Sequence, residues 1–298
     1  MTAGPEAAAD DRPRPTVGPG ARAAILAEAL PYITRFRGRV VVIKYGGNAM
    51  EDDESLALFA QDVVLMRSVG MCPVVVHGGG PQIGALMSRL GMEPVFRDGL
   101  RVTDADTLDI ARMVLVGRVN RDIVGAINVH APIAVGLSGE DARLIRATAR
   151  SADLGFVGDV ADVDPSILQR LLAQELIPVV ATIGADPAGQ PYNINADTAA
   201  AAIASALGAA KLVYLTDVEG IRRRLDDPGS LMSTLSATEL AALIDDGTLT
   251  GGMLPKAAAC LDAVRGGVGQ AHILDGRVPH ALLLEFFTDE GVGTMVRP

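Results

Sequence analysis

Val40-Val41-Val42-Ile43-Lys44-Tyr45-Gly46-Gly47-Asn48 passes from four β-branched residues to a lysine and then a glycine pair. β-branched side chains favour a pleated strand, and paired glycines suit a tight turn, so residues 40–43 predict a strand ending in a turn. Similar apolar runs follow at residues 74–76, 133–135, 178–183, 212–215 and 272–274. Between them, helical spacing marks residues 55–66, 81–90, 197–207 and 253–265, the last with Pro255 tolerated in its first turn. Residues 104–128 predict one long helix capped by Thr103 or Asp104. Short apolar strands alternating with helices predict an α/β fold, an open and mainly parallel sheet covered by helices on both faces.

Ahead of the first strand, Ile25, Leu26, Leu30, Ile33 and Phe36 recur at helical spacing within residues 21–36, and Gly38 supplies a stop. Residues 1–20 are rich in Pro, Ala and Gly and predict a mobile tail. Residues 184–191 hold two glycines and two prolines and mark a boundary between two lobes.

The 298 residues, 49% of them apolar, suffice for two domains. Against 26 basic residues stand 36 acidic ones, and a formal charge of −10 disfavours nucleic acid and anionic membrane surfaces as partners. Cys72 and Cys260 form no CxxC pair, which speaks against a disulfide framework and for a reducing cytoplasm. The first residues lack a signal-peptide pattern, and no stretch of roughly 18 apolar residues could span a bilayer. Aromatics at 3% without Trp disfavour base-stacking platforms.

Three glycine-rich turns border strands or helices: Lys44 to Asn48, His77-Gly78-Gly79-Gly80-Pro81, and Gly251-Gly252-Met253-Leu254-Pro255-Lys256. Where a strand ends in glycines and a helix begins, unhindered N–H groups form an anion site, and phosphate is the expected ligand. The usual phosphate signatures are absent. No Gly-Lys dipeptide exists, which excludes the GxxxxGK[ST] loop, and residues 78–84 space their glycines unlike GxGxxG. Gly136-Leu137-Ser138-Gly139-Glu140 breaks the GxSxG elbow of esterases. His77, His130, His272 and His280 show no metal-binding spacing, so no protein-held metal is expected.

What remains is an ordered set. Lys44 stands before its glycine pair, then come the triple-glycine turn, Gly99-Leu100-Arg101-Val102-Thr103-Asp104, Tyr192-Asn193-Ile194-Asn195-Ala196-Asp197, Leu215-Thr216-Asp217, and Lys256. In this order and spacing the chain, from about residue 21 onward, resembles the amino-acid kinase family. The resemblance implies that family's two-lobed fold, with residues 21–38 an oligomerisation helix, 39–184 an acceptor lobe and 185–298 an ATP lobe. It implies phosphoryl transfer from ATP, carried as its Mg2+ complex, to the side-chain carboxylate of N-acetyl-L-glutamate. Lys44 and Lys256 would approach the moving phosphoryl group from opposite sides, with Asp197 organising both. Gly79, Gly80, Arg101 and Asn193 would hold the acceptor, and Gly46, Gly47, Thr216 and Asp217 the nucleotide. Arg101 suits a spare carboxylate because its planar fork binds both oxygens. Read without the resemblance, Asp197 is a helix N-cap, Lys44 a strand-end lysine and Lys256 a surface helix residue.

The resemblance extends to the arginine-sensitive members. It implies feedback inhibition by L-arginine at Tyr32, His272, Glu285 and Gly291, and a homohexamer built from three dimers. One departure stands out. Where many relatives read Leu-Ser-Gly-Lys-Asp-Gly, this chain has Leu137-Ser138-Gly139-Glu140-Asp141-Ala142. Carbamate, aspartate, glutamate or a nucleoside monophosphate stand as alternative acceptors. A non-catalytic arginine sensor on the same fold is the alternative of another class.

Overall fold

The computed structural model describes residues 18–46, 52–97, 99–224, 227–288 and 291–298. It opens with α1 (Pro19–Glu28), α2 (Leu30–Phe36), β1 (Val40–Tyr45), α3 (Asp53–Ser68), β2 (Cys72–His77) and α4 (Gly80–Arg89). The antiparallel pair β3 (Phe96–Arg97) and β4 (Leu100–Arg101) precedes a long helical rod. That rod is α5 (Ala105–Arg112), a π-helical stretch (Met113–Val119) and α6 (Asn120–His130). Then follow β5 (Ala134–Ser138), β6 (Ile145–Ala149), β7 (Val157–Val163), α7 (Ser166–Ala173), β8 (Ile177–Ala181), β9 (Ile183–Ala185), β10 (Pro191–Ile194), α8 (Ala196–Ala206) and β11 (Lys211–Thr216). The remainder holds β12 (Thr234–Ser236), α9 (Ala237–Asp245), α10 (Met253–Arg265), β13 (Ala271–Asp275), α11 (Ala281–Phe287) and β14 (Thr294–Arg297).

Eight strands form one sheet in the order β12-β14-β13-β11-β1-β2-β8-β5, parallel except where β14 runs against β13. Because successive side chains on a strand face opposite sides, the central strands feed two separate cores. Val42, Val74, Val76, Leu212 and Tyr214 join α8 and α10 on one face, while Val41, Ile43, Tyr45, Val75, Val213 and Leu215 join α3 and α11 on the other. Lys44 falls in the same alternation as Val42, and α8 covers that face. The Ala-rich α8 can lie close to the sheet, since Ala199, Ala200, Ala201 and Ala204 are buried with only a methyl to accommodate.

Several expectations need correction. Residues 21–36 form two helices, because Pro31 has no N–H to continue the first one and sits instead in the opening turn of α2. α1 begins at Pro19, inside the stretch expected to be tail; the rest of that stretch, residues 1–17, lies outside the described residues. The expected strand 178–183 divides into β8, which stays in the sheet, and β9, which enters a closed four-strand barrel with β10, β7 and β6. The Gly/Pro-rich segment 184–191 is the turn between β9 and β10, and strands from both sides of it meet in the large sheet where β1 pairs with β11. The long helix does run from Ala105 to His130, capped by Asp104, whose Oδ1 accepts from the Thr107 N–H at 2.8 Å. Its π-helical middle was not expected.

Candidate active site

β1 delivers Lys44, α8 delivers Asp197 and α10 delivers Lys256 to one place. Lys44 Nζ lies 3.0 Å from Asp197 Oδ1, and Lys256 Nζ lies 3.1 Å from Asp197 Oδ2. Asp197 does not cap its helix, as the sequence alone suggested. Asn195 does, its Oδ1 accepting from the N–H groups of Asp197 at 2.9 Å and Thr198 at 3.1 Å. Asp197 is thus in the first turn, where the helix dipole favours a carboxylate. Burial alone would raise its pKa, but the Lys44 and Lys256 ammonium groups outweigh burial and hold it below the usual carboxylate range. Tyr214 adds a hydrogen bond from its hydroxyl to the Asp197 carbonyl at 3.1 Å. A methyl group on Gly46 would lie 2.8 Å from Lys44 Nζ, so the glycine after β1 leaves the ammonium its room.

This triad opens into a cleft of about 310 Å³ that is also lined by Gly46, Gly79, Gly80, Arg101 and Asn193. Arg101 is nearly buried; its Nη2 donates to Gly80 O at 2.9 Å, and its guanidinium stacks 4.7 Å from the centre of the Phe96 ring. Asn193 Nδ2 reaches Thr103 Oγ1 at 3.4 Å. The cleft draws side chains from both sides of the 184/185 division, since Asn193, Asp197 and Lys256 follow it. A second cleft of about 500 Å³ is lined by Asp217, Glu219, Gly252, Met253 and Arg277, and it shares Lys256 with the first. Thr216 is buried beside it and donates from Oγ1 to Asp217 Oδ1 at 3.1 Å. Gly47 lies outside the described residues.

Tyr32, His272, Glu285 and Gly291 come together elsewhere, around a pocket of about 490 Å³ that also includes Lys211. The carboxylate of Glu285 is already engaged, paired to Lys211 Nζ and lying 2.8 Å from His272 Nδ1. Burial raises the Glu285 pKa, and these two partners more than reverse the effect. Lys211 was missed in the sequence, although a lone lysine within the apolar strand Lys211–Thr216 is itself a signal of an inward partner. Asn195 was passed over as a cap because the helix was expected to begin at residue 197, whereas α8 begins at Ala196.

The profile of the amino acid kinase family matches residues 39–275. The chain belongs to this family. Among curated relatives it is 58% identical over 284 residues to the acetylglutamate kinase of Symbiobacterium thermophilum, covering 92% of this chain and 97% of the relative. The acetylglutamate kinase of Acidothermus cellulolyticus is 57% identical over 289 residues, covering 93% and 97%. Among solved structures, N-acetylglutamate synthase from Neisseria gonorrhoeae, complexed with coenzyme A and N-acetyl-glutamate, superposes with a TM-score of 0.82 at 30% identity. That match covers 93% of this chain, which spans only 63% of the synthase. The same synthase complexed with coenzyme A and L-arginine gives a TM-score of 0.77 at 28% identity, covering 92% and 65%.

Proposed function

We propose that this chain transfers the γ-phosphoryl group of ATP to the side-chain carboxylate of N-acetyl-L-glutamate, forming N-acetyl-L-glutamyl 5-phosphate. The observation that carries the proposal is the meeting of Lys44 and Lys256 on Asp197 at the point where two clefts join. Two anions must be brought in line there, and the lysines neutralise charge on the group that passes between them. The acceptor occupies the first cleft, its spare carboxylate on Arg101 and its amide side near Asn193, with backbone N–H groups of Gly79 and Gly80 facing the anion. The nucleotide occupies the second cleft, held by Asp217 and Thr216, and its phosphates reach Gly46 in the first cleft. Mg2+ arrives on the phosphate oxygens and keeps much of its water shell. Residues 39–184 then act chiefly on the acceptor and 185–298 on ATP. The name shared by the curated relatives supports this choice of acceptor.

L-Arginine is the expected inhibitor, bound in the pocket of Tyr32, His272, Glu285 and Gly291; a carboxylate there can take a guanidinium bidentately. α1 buries none of its side chains, and Ile25 and Leu26 on it are 58% and 74% exposed, which supports exchange of these helices in a homohexamer. The free thiols of Cys72 and Cys260 suit a reducing cytoplasm, and among the described residues no helix is long and apolar enough to cross a membrane. The direct test traps the acyl phosphate with hydroxylamine after incubation with MgATP and N-acetyl-L-glutamate. Hydroxamate from this acceptor but not from aspartate, glutamate or carbamate is expected; the reverse preference would replace the proposed substrate. In the same assay millimolar L-arginine should slow the initial rate, and unchanged kinetics would remove the inhibitory role.

A further inference from the structure

The triple-glycine turn faces the acceptor cleft, yet polar groups remote from the reactants hold it from behind. His77 ends β2 with no exposed surface; its Nδ1 lies 2.9 Å from Gly78 O and its Nε2 lies 3.1 Å from Asn120 Nδ2. Asn120, equally buried, opens α6 directly after the π-helical stretch, and its Nδ2 lies 2.8 Å from Val179 O on β8. A carbonyl can only accept, so the atom facing it is the amide nitrogen, which cannot accept from the ring; its second hydrogen faces His77 Nε2 at 3.1 Å, with Leu137 O farther away at 3.4 Å. Nε2 of the ring is therefore the bare, accepting nitrogen, and Nδ1 carries the hydrogen given to Gly78 O. A single tautomer satisfies both contacts. Arg121 Nη2 donates to Asn120 Oδ1 and occupies the other end of the amide.

In a trans peptide the C=O and the N–H point in opposite directions. With Gly78 O drawn to the imidazole, the Gly79 N–H is turned away from it, toward the cleft that Gly78, Gly79 and Gly80 line. No described backbone group accepts from that N–H. The π-helical stretch packs the same turn: a methyl group on Gly79 would lie 2.7 Å from Leu115 Cδ2 and 3.2 Å from Val119 Cγ2. The wider π turn thus brings two apolar side chains to Gly79 and an amide to His77 within one short segment.

Building on the phosphoryl-transfer reading above, we propose that His77 and Asn120 are positioning residues that aim the Gly79 N–H at the anion handed between Lys44 and Lys256. Asn120 fixes the imidazole tautomer, and the imidazole fixes the Gly78–Gly79 peptide plane. The ring can do this because it is neutral: burial pushes its pKa down to about 4 against the hydrogen bond it donates to Gly78 O, and the Arg121 charge acts with burial.

Two measurements test the proposal. In the full-length parent protein labelled with 15N-histidine, one of the four imidazoles should show a protonated Nδ1 and a bare Nε2, unchanged from roughly pH 5.5 to 9. Loss of that resonance in His77→Asn identifies it. An Nε2-protonated ring or an imidazolium at this position would overturn the proposal. In kinetics, His77→Asn keeps an N–H donor near the place of Nδ1 and should stay within about fivefold of the parent kcat. His77→Gln reaches Asn120 but leaves Gly78 O unheld, and should lose about 10- to 100-fold in kcat while its ATP dissociation constant holds. Equal losses in the two variants, no loss in His77→Gln, or a loss carried by ATP binding would each contradict it. A parent without hydroxamate yield from N-acetyl-L-glutamate would fault the substrate assignment alone, since the tautomer measurement requires no turnover.

Discussion

Asp197 keeps its negative charge in a nearly dry setting because two ammonium groups share it, and each of its oxygens faces one of them. Neither lysine is then free to wander, so both are fixed before a phosphate arrives. Asp197→Asn would leave two cations facing a neutral amide. The expected outcome is a loss of about 100-fold or more in kcat, together with a lower melting temperature that MgATP raises more than it does in the parent, because the phosphates replace the missing anion. Calorimetry with and without nucleotide checks it; an equal ATP-induced shift in both proteins would count against the shared-carboxylate account. The departure at Glu140 and Ala142 is also a residue-scale matter. Glu140 Oε1 pairs with Arg112 Nη2 at 2.9 Å, so the reversed charge has a partner. Ala142 has φ 51°, a left-handed conformation that glycine adopts without the clash of a Cβ. Ala142→Gly should therefore raise the unfolding free energy by about 1 kcal/mol, measured by urea titration. Lys44 was legible at this scale because a glycine pair follows it at the end of a strand. Tyr214 was not, since its bond to the Asp197 carbonyl exists only once β11 and α8 meet.

Elements were legible where one physical signal dominates. β1, β2, β8 and β11 are apolar on both faces and read as buried strands from composition alone. The barrel strands carry charge: Arg146 on β6 pairs with Asp162 on β7, and Arg150, just past β6, pairs with Asp159 on β7, each at 2.6 Å and each about half exposed. Such pairs contribute little, on the order of 0–1 kcal/mol, and they give β6 and β7 the composition of loops. The π-helical stretch has no local signature, because Met113–Val119 reads as ordinary helix and the extra width follows from what it packs against. Gly139 shows how closely these elements meet. A methyl group there would lie 2.5 Å from Ile183 O and 2.6 Å from Ile145 Cδ1, at the crossing from the main sheet to the barrel. Gly139→Ala should cost roughly 1–3 kcal/mol in stability by overpacking. A shift in the urea midpoint no larger than that of a surface substitution would contradict the packing described.

At the scale of the whole molecule, one sheet passes through both halves, and Lys44, Asp197 and Lys256 gather where its central strands end under α8 and α10. The change of pattern near residue 184 was read as a boundary between lobes, whereas the continuity of the sheet was not legible, since β1 and β11 are distant in sequence and pair only in the fold. Stability should also respond to pH through the buried His77. Its folded pKa of about 4 lies below the ordinary imidazole value of 6.5, so the unfolded chain takes up the proton first as pH falls. The contribution is full above the upper value and is lost toward the lower, roughly 3 kcal/mol in all. Unfolding free energies at near-neutral and acidic pH should differ less in His77→Asn than in the parent, and identical slopes would show that the ring titrates freely. The most direct test of the account is the turnover of Lys44→Ala and Lys256→Ala with ATP and N-acetyl-L-glutamate, beside the affinity of each variant for both substrates. If Lys44 and Lys256 neutralise charge on the passing phosphoryl group, removing either should cost about 100-fold or more in kcat; a variant that binds both substrates and turns over at the parent rate would contradict it.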